Sequence, residues 1–284
     1  TLMFFILVWG HEAKGAQRWL RIAGFSLQPS EMVKPALIVL GGWLLAQREQ
    51  YPDGPWAVTA FLFYAVTLGL LLLQPDVGQS VLLTAAFVVT FFVSGLPWKW
   101  AAGFAIGGAG LSASLYALLP HVRYRLNAFF NPSEHDTYQV DLARAALEKG
   151  GLLGVGMGEG EVKYDLPDAH TDFIYSVIGE EFGLIVCFAL ILLFASISMR
   201  GMIRAANHPD IYPRAAGVGL FALFGLQAAI NISVNISLLP NKGMTLPFVS
   251  SGGSSLLGTA LTLGLALALT RRRPDFSMRR FVSP

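Results

Sequence analysis

The sequence predicts an all-α polytopic membrane protein, with about eight hydrophobic helices and one long polar loop on a single side of the bilayer. Apolar residues make up 54% of the chain and charged residues only 13%, whereas soluble domains carry about 25% charged residues. The mean hydropathy is +0.55. Several long stretches carry no charge at all, among them 77–95, 182–199 and 215–239. Backbone groups in lipid must be bonded within their own segment, so these stretches are predicted to be spanning helices.

Seven full spans follow in order. They are predicted at 32–47, 57–74, 77–95, 98–119, 173–199, 215–239 and 249–270. The opening apolar run, 2–9, is much shorter than the roughly 20 residues that a span needs, and the first residue is Thr1. We therefore expect one transmembrane domain over 1–284 whose N-terminal helices are missing, with a long loop at 120–172. The single cysteine, Cys187, lies in an apolar run and excludes an internal disulfide.

Basic residues predict the orientation. They cluster after the last span and before span 215–239, at Arg200, Arg204, Arg214, Arg271, Arg272, Arg273, Arg279 and Arg280. The positive-inside rule places both clusters in the cytoplasm. The segments 10–31, 74–76, 120–172 and 240–248 are then outside. The sequence thus predicts a multi-pass membrane protein with most of its unusual polar residues on the extracytoplasmic face. The net charge of +2 suggests no nucleic-acid partner.

The first full span begins with polar and charged residues. Ser30 is a natural N-cap, and Glu31 suits the positive end of a helix. Lys34 lies one turn later on the same side, and Pro35 removes the N–H that would bond to the carbonyl of Glu31. Two readings stay open: an interfacial cap with a snorkelling lysine, or a charged pair that faces a cavity.

Further polar residues occur at the ends of other spans. Asp76 either caps the next helix or acts at a site. Gln227, Asn231 and Asn235 repeat every four residues, so they share one helical face that serves as polar glue or as a groove wall. Ser251 and Ser254 belong to a glycine- and serine-rich start of the last span, which either offers free donors to an anion or packs closely against another helix.

The end of the long loop carries the most specific candidate for a catalytic residue. Thr171 is predicted to cap the following helix, with Asp172 in its first turn. Asp172 either compensates the helix dipole or lies at the lip of a membrane groove, where it can accept a proton from a bound hydroxyl. The glycine run 154–160 lacks the spacing of a nucleotide-binding loop and is predicted to be a flexible turn.

Together these segments resemble the SEDS family (shape, elongation, division and sporulation proteins) over essentially the whole chain. The matching stretches appear in the family's order: 14–19, 28–34, 74–78, 166–173, 178–181 and 242–255. Ala169 and the stretch 242–247 are typical of the family's division member. Two features depart from the family pattern: members have about ten spans, and the segment 131–136 is shorter here.

The resemblance implies a peptidoglycan glycosyltransferase of the bacterial cytoplasmic (inner) membrane that polymerises lipid II during cell division. It implies inverting transfer, with Asp172 as the catalytic base and undecaprenyl pyrophosphate as the leaving group. The expected substrate-binding residues are Arg18, Glu31, Lys34, Asp76, His170, Thr171, Lys242, Ser251 and Ser254. Expected partners are lipid II and the nascent glycan strand, a class B penicillin-binding transpeptidase, other divisome membrane proteins and membrane lipid. No tightly bound cofactor is expected; a divalent cation (Mg²⁺ or Mn²⁺) near the pyrophosphate stays open.

Two other functions fit the same composition. A flippase for a lipid-linked precursor needs ionisable residues along a path through the bilayer, and a non-catalytic divisome scaffold needs only the fold. The centres of the predicted spans are almost free of charge, and the polar candidates gather at one lip. This distribution favours chemistry on one face.

Overall fold

The chain forms a helical bundle preceded by three short strands. The computed structural model describes residues 3, 4, 6, 11–13, 16–22, 25–97, 99–118, 120–131, 138–240 and 243–271. The antiparallel strands are β1 (His11–Ala13), β2 (Ala16–Ile22) and β3 (Phe25–Leu27), in the order β1-β2-β3. The helices are α1 (Pro29–Gln50), α2 (Trp56–Leu73), α3 (Val77–Val93), α4 (Lys99–Leu118), α5 (Pro120–Phe130), α6 (Tyr138–Gly150), α7 (Val162–Asp165), α8 (Ile174–Ala206), α9 (Ile211–Asn235) and α10 (Gly253–Thr270).

The predicted membrane fold is confirmed. All seven predicted full spans coincide with long helices, namely α1–α4 and α8–α10. Among the described residues, α2, α8, α9 and α10 are long and apolar enough to cross a membrane by length and composition alone. Of the predicted partial span at the start, only Met3, Phe4 and Ile6 lie within the described residues, and they are helical.

Helix α9 forms the centre of the bundle. Within its most apolar stretch 78% of the residues are buried, and it packs against α1, α3, α8 and α10. Small residues permit these close approaches: a Cβ on Gly42 of α1 would lie 2.9 Å from the Cβ of Ala216. The surrounding core is apolar and includes a stacked pair, Tyr64 and Phe87, with ring centroids 4.5 Å apart. Such packing is the main attraction between helices in lipid.

Helix α8 is interrupted at Gly183, and a loop fills the break. Gly183 has φ 80° and ψ 175°, so the helical bonds from Leu184 to Glu180 and from Ile185 to Glu181 are lost. The segment after α6 replaces them. The N–H groups of 155 and 156 donate to the carbonyls of 180 and 181 (2.9 and 3.1 Å), and those of 184 and 185 donate to the carbonyls of 151 and 152 (2.9 and 3.3 Å). Irregular backbone is tolerated in a spanning helix when protein groups satisfy it in this way.

The segment 154–160 forms a turn as predicted, but its start is not a free loop, because it docks into α8 through backbone hydrogen bonds. Glycine is required where the two backbones touch. A Cβ on Gly150 would lie 1.9 Å from the carbonyl oxygen of Gly179, and one on Gly154 would lie 2.2 Å from that of Glu181. The same glycines that look like a loose loop in the sequence permit this contact.

We expect Gly183→Ala to destabilise the protein severely. Its backbone conformation is almost exclusive to glycine and costs about 1–3 kcal/mol for other residues. The new Cβ would also lie 2.3 Å from the carbonyl oxygen of Leu152. Thermal unfolding in detergent measures the loss. Gly264→Ala is the matched control, because its Cβ would meet nothing within 4 Å. Equal midpoints for the two variants would contradict the account of the break.

Candidate active site

Four predicted motif segments, 28–34, 74–78, 166–173 and 242–255, meet at one end of the bundle. We call this end the site end and define it by Gln28, Asp76, Asp172, Gly243 and Ser254. The N–H of Gln28 donates to Oγ of Ser254 (3.0 Å), and that hydroxyl donates to the carbonyl of Ser26 (2.8 Å). The Gln28 amide lies 3.5 Å from Oδ2 of Asp76. Arg200 and Arg204 near the end of α8, and Arg271 just after α10, lie at the opposite end, as the sequence predicts, because both helices run away from the site end.

Asp172 lies in a tight turn immediately before α8. The turn is centred on the carbonyl of Asp168, which accepts the N–H groups of Thr171, Asp172 and Phe173 at 3.0 to 3.3 Å. Asp172 is half-buried, whereas the neighbouring His170 is exposed. A Cβ placed on Gly243 would lie 3.5 Å from Oδ2 of Asp172. Gly243 has φ +63°, so a side chain there would be strained as well as close to the carboxylate.

The backbone of 170–172 is held by side chains at every carbonyl. The His170 carbonyl accepts from the N–H and Oγ of Ser251 (2.9 and 2.8 Å), and the Thr171 carbonyl accepts from Oγ of Ser250. The Asp172 carbonyl accepts from the amides of Asn231 (2.8 Å) and Asn235 (3.0 Å). Three successive peptide units are thereby anchored to α9 and to the turn before α10.

Beneath this turn lies a buried charge network. Lys34 is 2% exposed and Glu31 is 3% exposed. Nζ of Lys34 donates to Glu31 (3.0 Å), Gln79 (2.6 Å) and Gln227 (3.5 Å), and the Gln79 amide donates to the other oxygen of Glu31 (2.8 Å). The lysine and glutamate charges are thus compensated inside the bundle by groups from α1, α3 and α9.

A second buried carboxylate organises the loop that leads to Asp172. Glu180 is fully buried and accepts the N–H groups of Glu161, Val162 and Lys163 at 2.8, 2.8 and 3.0 Å. It therefore satisfies the N–H groups at the start of α7, where a negative charge is favoured. Lys163 pairs with Glu181, and this hydrogen bond raises the pKa of Lys163 above its usual range.

Several predictions about local structure are wrong. Ser30 is not an N-cap: α1 begins at Pro29, and Oγ of Ser30 is buried with no hydrogen-bond partner among the described residues. Thr171 does not cap α8, because its hydroxyl donates to the carbonyl of Asp168 (3.2 Å) and the N-cap position is Phe173. Asp172 accordingly precedes the first turn of that helix.

Of the two alternatives for Lys34, the snorkelling lysine is excluded, since its ammonium group has three partners within the bundle. Ser251 and Ser254 are not free donors, because both hydroxyls donate to backbone carbonyls. Close packing at the start of α10 is found instead: a Cβ on Gly258 would lie 2.8 Å from the carbonyl oxygen of Glu31. Pro35 leaves that carbonyl without its helical donor, which makes the approach possible.

The structure agrees with the predicted cap by Asp76 and with the predicted inward-facing polar side of α9. Oδ1 of Asp76 accepts the N–H of Gln79 at 3.3 Å, so Asp76 caps α3 as predicted. The polar face of α9 points into the bundle, and its three amides bind other segments of the site end. Arg18 lies on β2, but its side chain lies outside the described part of the chain, as does Lys242. The roles predicted for them stay predictions.

Two parts of the site were missed in the sequence. Gln79 follows the Asp76 motif by three residues, and only the fold brings it to Lys34. Helix α6 was read as loop, although its buried residues Ala143 and Ala146 have helical spacing. Within the described residues, no group of three or more histidine, cysteine or acidic side chains is placed to hold a metal ion.

Comparison with known proteins gives a consistent result. The family model of the FtsW, RodA and SpoVE cell cycle proteins matches residues 1–274. A protein of Caulobacter vibrioides named a probable peptidoglycan glycosyltransferase FtsW is 51% identical over 267 residues, which covers 93% of this chain and 68% of that protein. A protein of the same name in Geobacter metallireducens is 36% identical and covers 95% and 74%.

Solved structures agree with the sequence relatives. A chain from work on the structural coordination of polymerization and crosslinking by a peptidoglycan synthase complex superposes with a TM-score of 0.76 at 29% identity, covering 96% of this chain and 79% of that one. The rod shape determining protein RodA of Thermus thermophilus superposes with a TM-score of 0.68 at 29% identity, covering 96% and 76%. This chain therefore belongs to the FtsW, RodA and SpoVE family of cell cycle proteins, the SEDS family, and is FtsW-like.

Proposed function

We propose that this protein is a peptidoglycan glycosyltransferase that polymerises lipid II into glycan strands during cell division, with its active site at the site end. The observation that carries the proposal is the half-buried carboxylate of Asp172. The backbone of its turn, residues 170–172, is anchored by four side chains at a point where four motif segments meet. Such anchoring is expected of a reacting group, because transfer between two bound sugars requires a fixed geometry.

In the proposed reaction Asp172 acts as the general base. An acceptor sugar hydroxyl attacks the anomeric carbon of the donor, and its proton passes to the Asp172 carboxylate. The bond from that carbon to the pyrophosphate breaks, and undecaprenyl pyrophosphate leaves with the bonding electrons. Attack opposite the leaving group inverts the anomeric configuration. Cationic groups that stabilise the departing pyrophosphate contribute strongly to such a reaction, and Arg18 and Lys242 are the candidates in neighbouring segments.

Lys34 has a different place in this proposal. Its charge is already balanced by Glu31 and two glutamine oxygens, below the surface of the site end. We assign Glu31 and Lys34 to the support of the substrate-binding surface, and Asp76, His170, Thr171, Ser251 and Ser254 to its wall. A divalent cation, Mg²⁺ or Mn²⁺, could neutralise the pyrophosphate, and the chemistry does not depend on any other cofactor.

An apolar groove can accept the lipid tail. It has a volume of about 340 Å³ and lies between α3, α8 and α9. Its lining includes Ile232, adjacent in sequence to Asn231, and extends along the helices to Val89 and Met202. A chain of isoprene units placed there would bring its pyrophosphate head towards the Asp172 turn.

The distribution of polarity favours this enzyme over a lipid II flippase. The half of α9 away from the site end, from Ala215 to Phe224, is buried among apolar neighbours. The described charged network is confined to the half near Asp172. A flippase would need polar groups through the full thickness of the bilayer. A non-catalytic scaffold would have no need of the anchored carboxylate.

The proposal includes location and partners. The enzyme acts in the bacterial inner membrane with the site end on the extracytoplasmic face, together with a class B penicillin-binding transpeptidase and other divisome membrane proteins. Support comes from the basic residues at the opposite end and from the similar chain in a peptidoglycan synthase complex.

Reconstitution in vesicles tests the proposal against the flippase. The full protein, with a class B penicillin-binding protein, is placed in vesicles that carry lipid II in both leaflets. We expect glycan polymer in the leaflet that faces the site end and no faster exchange of lipid II between leaflets. Accelerated exchange without polymer would replace the proposed function by transport.

A further inference from the structure

The Asp172 carbonyl takes no part in the regular backbone hydrogen bonds of α8. In a regular helix it would accept the N–H of Ser176. Instead that N–H donates to the carbonyl of Phe173 (3.0 Å) and to Oδ1 of Asn235 (3.1 Å). The Asp172 carbonyl is thereby released from α8 and turned towards α9.

Asn235 is inserted between the two groups that would otherwise bond. Its Oδ1 accepts the N–H and the hydroxyl of Ser176 (3.1 and 2.8 Å), while its Nδ2 donates to the Asp172 carbonyl (3.0 Å). The orientation of this amide is unambiguous, because one end faces a backbone donor and the other a backbone acceptor. Asn235 is completely buried, as is Ser176.

Asn231 adds a second donor and connects another segment. Its Nδ2 donates to the Asp172 carbonyl (2.8 Å) and to the carbonyl of Met244 (2.6 Å). Met244 follows Gly243, the residue whose Cβ position lies near the Asp172 carboxylate. One buried amide therefore sets the separation between the Asp172 turn and the segment beside its carboxylate.

We propose that Asn231 and Asn235 are positioning residues for glycosyl transfer: their amides hold the Asp172 carbonyl outside α8 and so direct the carboxylate to the acceptor hydroxyl. The proposal rests on the proposed function, because it gives Asp172 the role of base. Neither asparagine needs to touch the substrate. Without them the Asp172 carbonyl can join the helical ladder, which would rotate the carboxylate away from its working direction.

Kinetics on purified lipid II test the proposal with Asn231→Leu and Asn235→Leu, which keep the branched shape of the side chain and remove the amide. A displacement of about 1 Å in a reacting group can cost about 100-fold in rate. We expect kcat to fall about 10- to 100-fold, with KM for lipid II changed less than about threefold. Both amides donate to one carbonyl, so their effects should be coupled. The change in activation free energy of the double variant should therefore differ from the sum of the changes in the two single variants.

Two further variants separate positioning from folding. Thr90→Val is the matched control, because Thr90 is fully buried and donates to the carbonyl of Ala86 far from Asp172; its kcat should equal that of the wild type. Asn235→Asp keeps the acceptor for Ser176 and replaces the donor to Asp172 by a carboxylate oxygen. Because this carboxylate is buried without a counter-charge, the thermal midpoint should fall; kcat is measured on the folded protein below that midpoint, where it should be reduced.

The outcomes are distinct. Wild-type kcat in Asn231→Leu and Asn235→Asp, with Asp172→Asn inactive, would overturn the positioning proposal and leave the proposed function in place. A rise in KM without a fall in kcat would also overturn it, because it would indicate lost substrate binding. Normal polymerisation by Asp172→Asn would instead remove the base assignment on which the proposal rests.

Discussion

Lys34→Met should destabilise the protein by about 3–5 kcal/mol, because it leaves the Glu31 carboxylate buried without its counter-charge. Glu31 would keep only the Gln79 amide as a described partner, at 2.8 Å. For a chain of 284 residues a loss of this size lowers the thermal midpoint by on the order of 10 °C. The measurement is thermal unfolding of the purified protein in detergent.

A double variant separates the charge effect from packing. Glu31→Gln combined with Lys34→Met removes both charges, and we expect it to regain most of the lost stability, because neutral replacements of a buried pair are often tolerated. Arg144→Met is the matched control. It breaks the exposed pair with Glu148 (2.8 Å), which is worth about 1 kcal/mol or less. A Lys34→Met midpoint equal to that of the control would contradict the compensated network.

Much of the fold could be predicted because a bilayer imposes long apolar helices. Charge-free stretches gave the spans, and the four-residue repeat of Gln227, Asn231 and Asn235 gave an inward-facing side of α9. Both features depend on local sequence alone. The interruption of α8 at Gly183 could not be predicted, because the groups that satisfy it come from residues 151–156, about thirty positions earlier in the chain.

The site was predicted in outline and wrong in its local details. Sequence order identified Asp172, Asp76 and the charged start of α1 as polar residues at one face. It assigned helix caps to Ser30 and Thr171 because those residue types favour that position. In the structure the tertiary contacts of each segment decide where its helix begins, and the helices start at Pro29 and Ile174 instead. Propensity is a weak guide when long-range hydrogen bonds are available.

Asp172→Asn should abolish glycan polymerisation while the protein stays folded. Asparagine has nearly the same shape, and the anchoring contacts of Asp172 use its backbone carbonyl, which the substitution keeps. The substitution removes the negative charge and, with it, the ability to take a proton from the acceptor hydroxyl. General bases contribute typically about 100- to 10,000-fold, so polymer formation should fall at least about 100-fold.

Two controls define this effect. Glu148→Gln removes an exposed carboxylate on α6 in the same long loop, and its polymerisation rate should equal that of the wild type. The thermal midpoint of Asp172→Asn should lie within a few degrees of the wild-type value. A large fall in the midpoint would mean that the carboxylate supports the fold, and the loss of polymer would then say nothing about a base.

The most direct test of the central claim is a comparison of wild type and Asp172→Asn in polymerising purified lipid II with the class B penicillin-binding protein present. A β-lactam blocks the transpeptidase, so the glycan strands stay uncrosslinked and can be resolved by length. The account predicts a ladder of strands from the wild type and unconsumed lipid II from the variant. Ladders of equal intensity from both would show that the chemistry at the site end does not depend on Asp172.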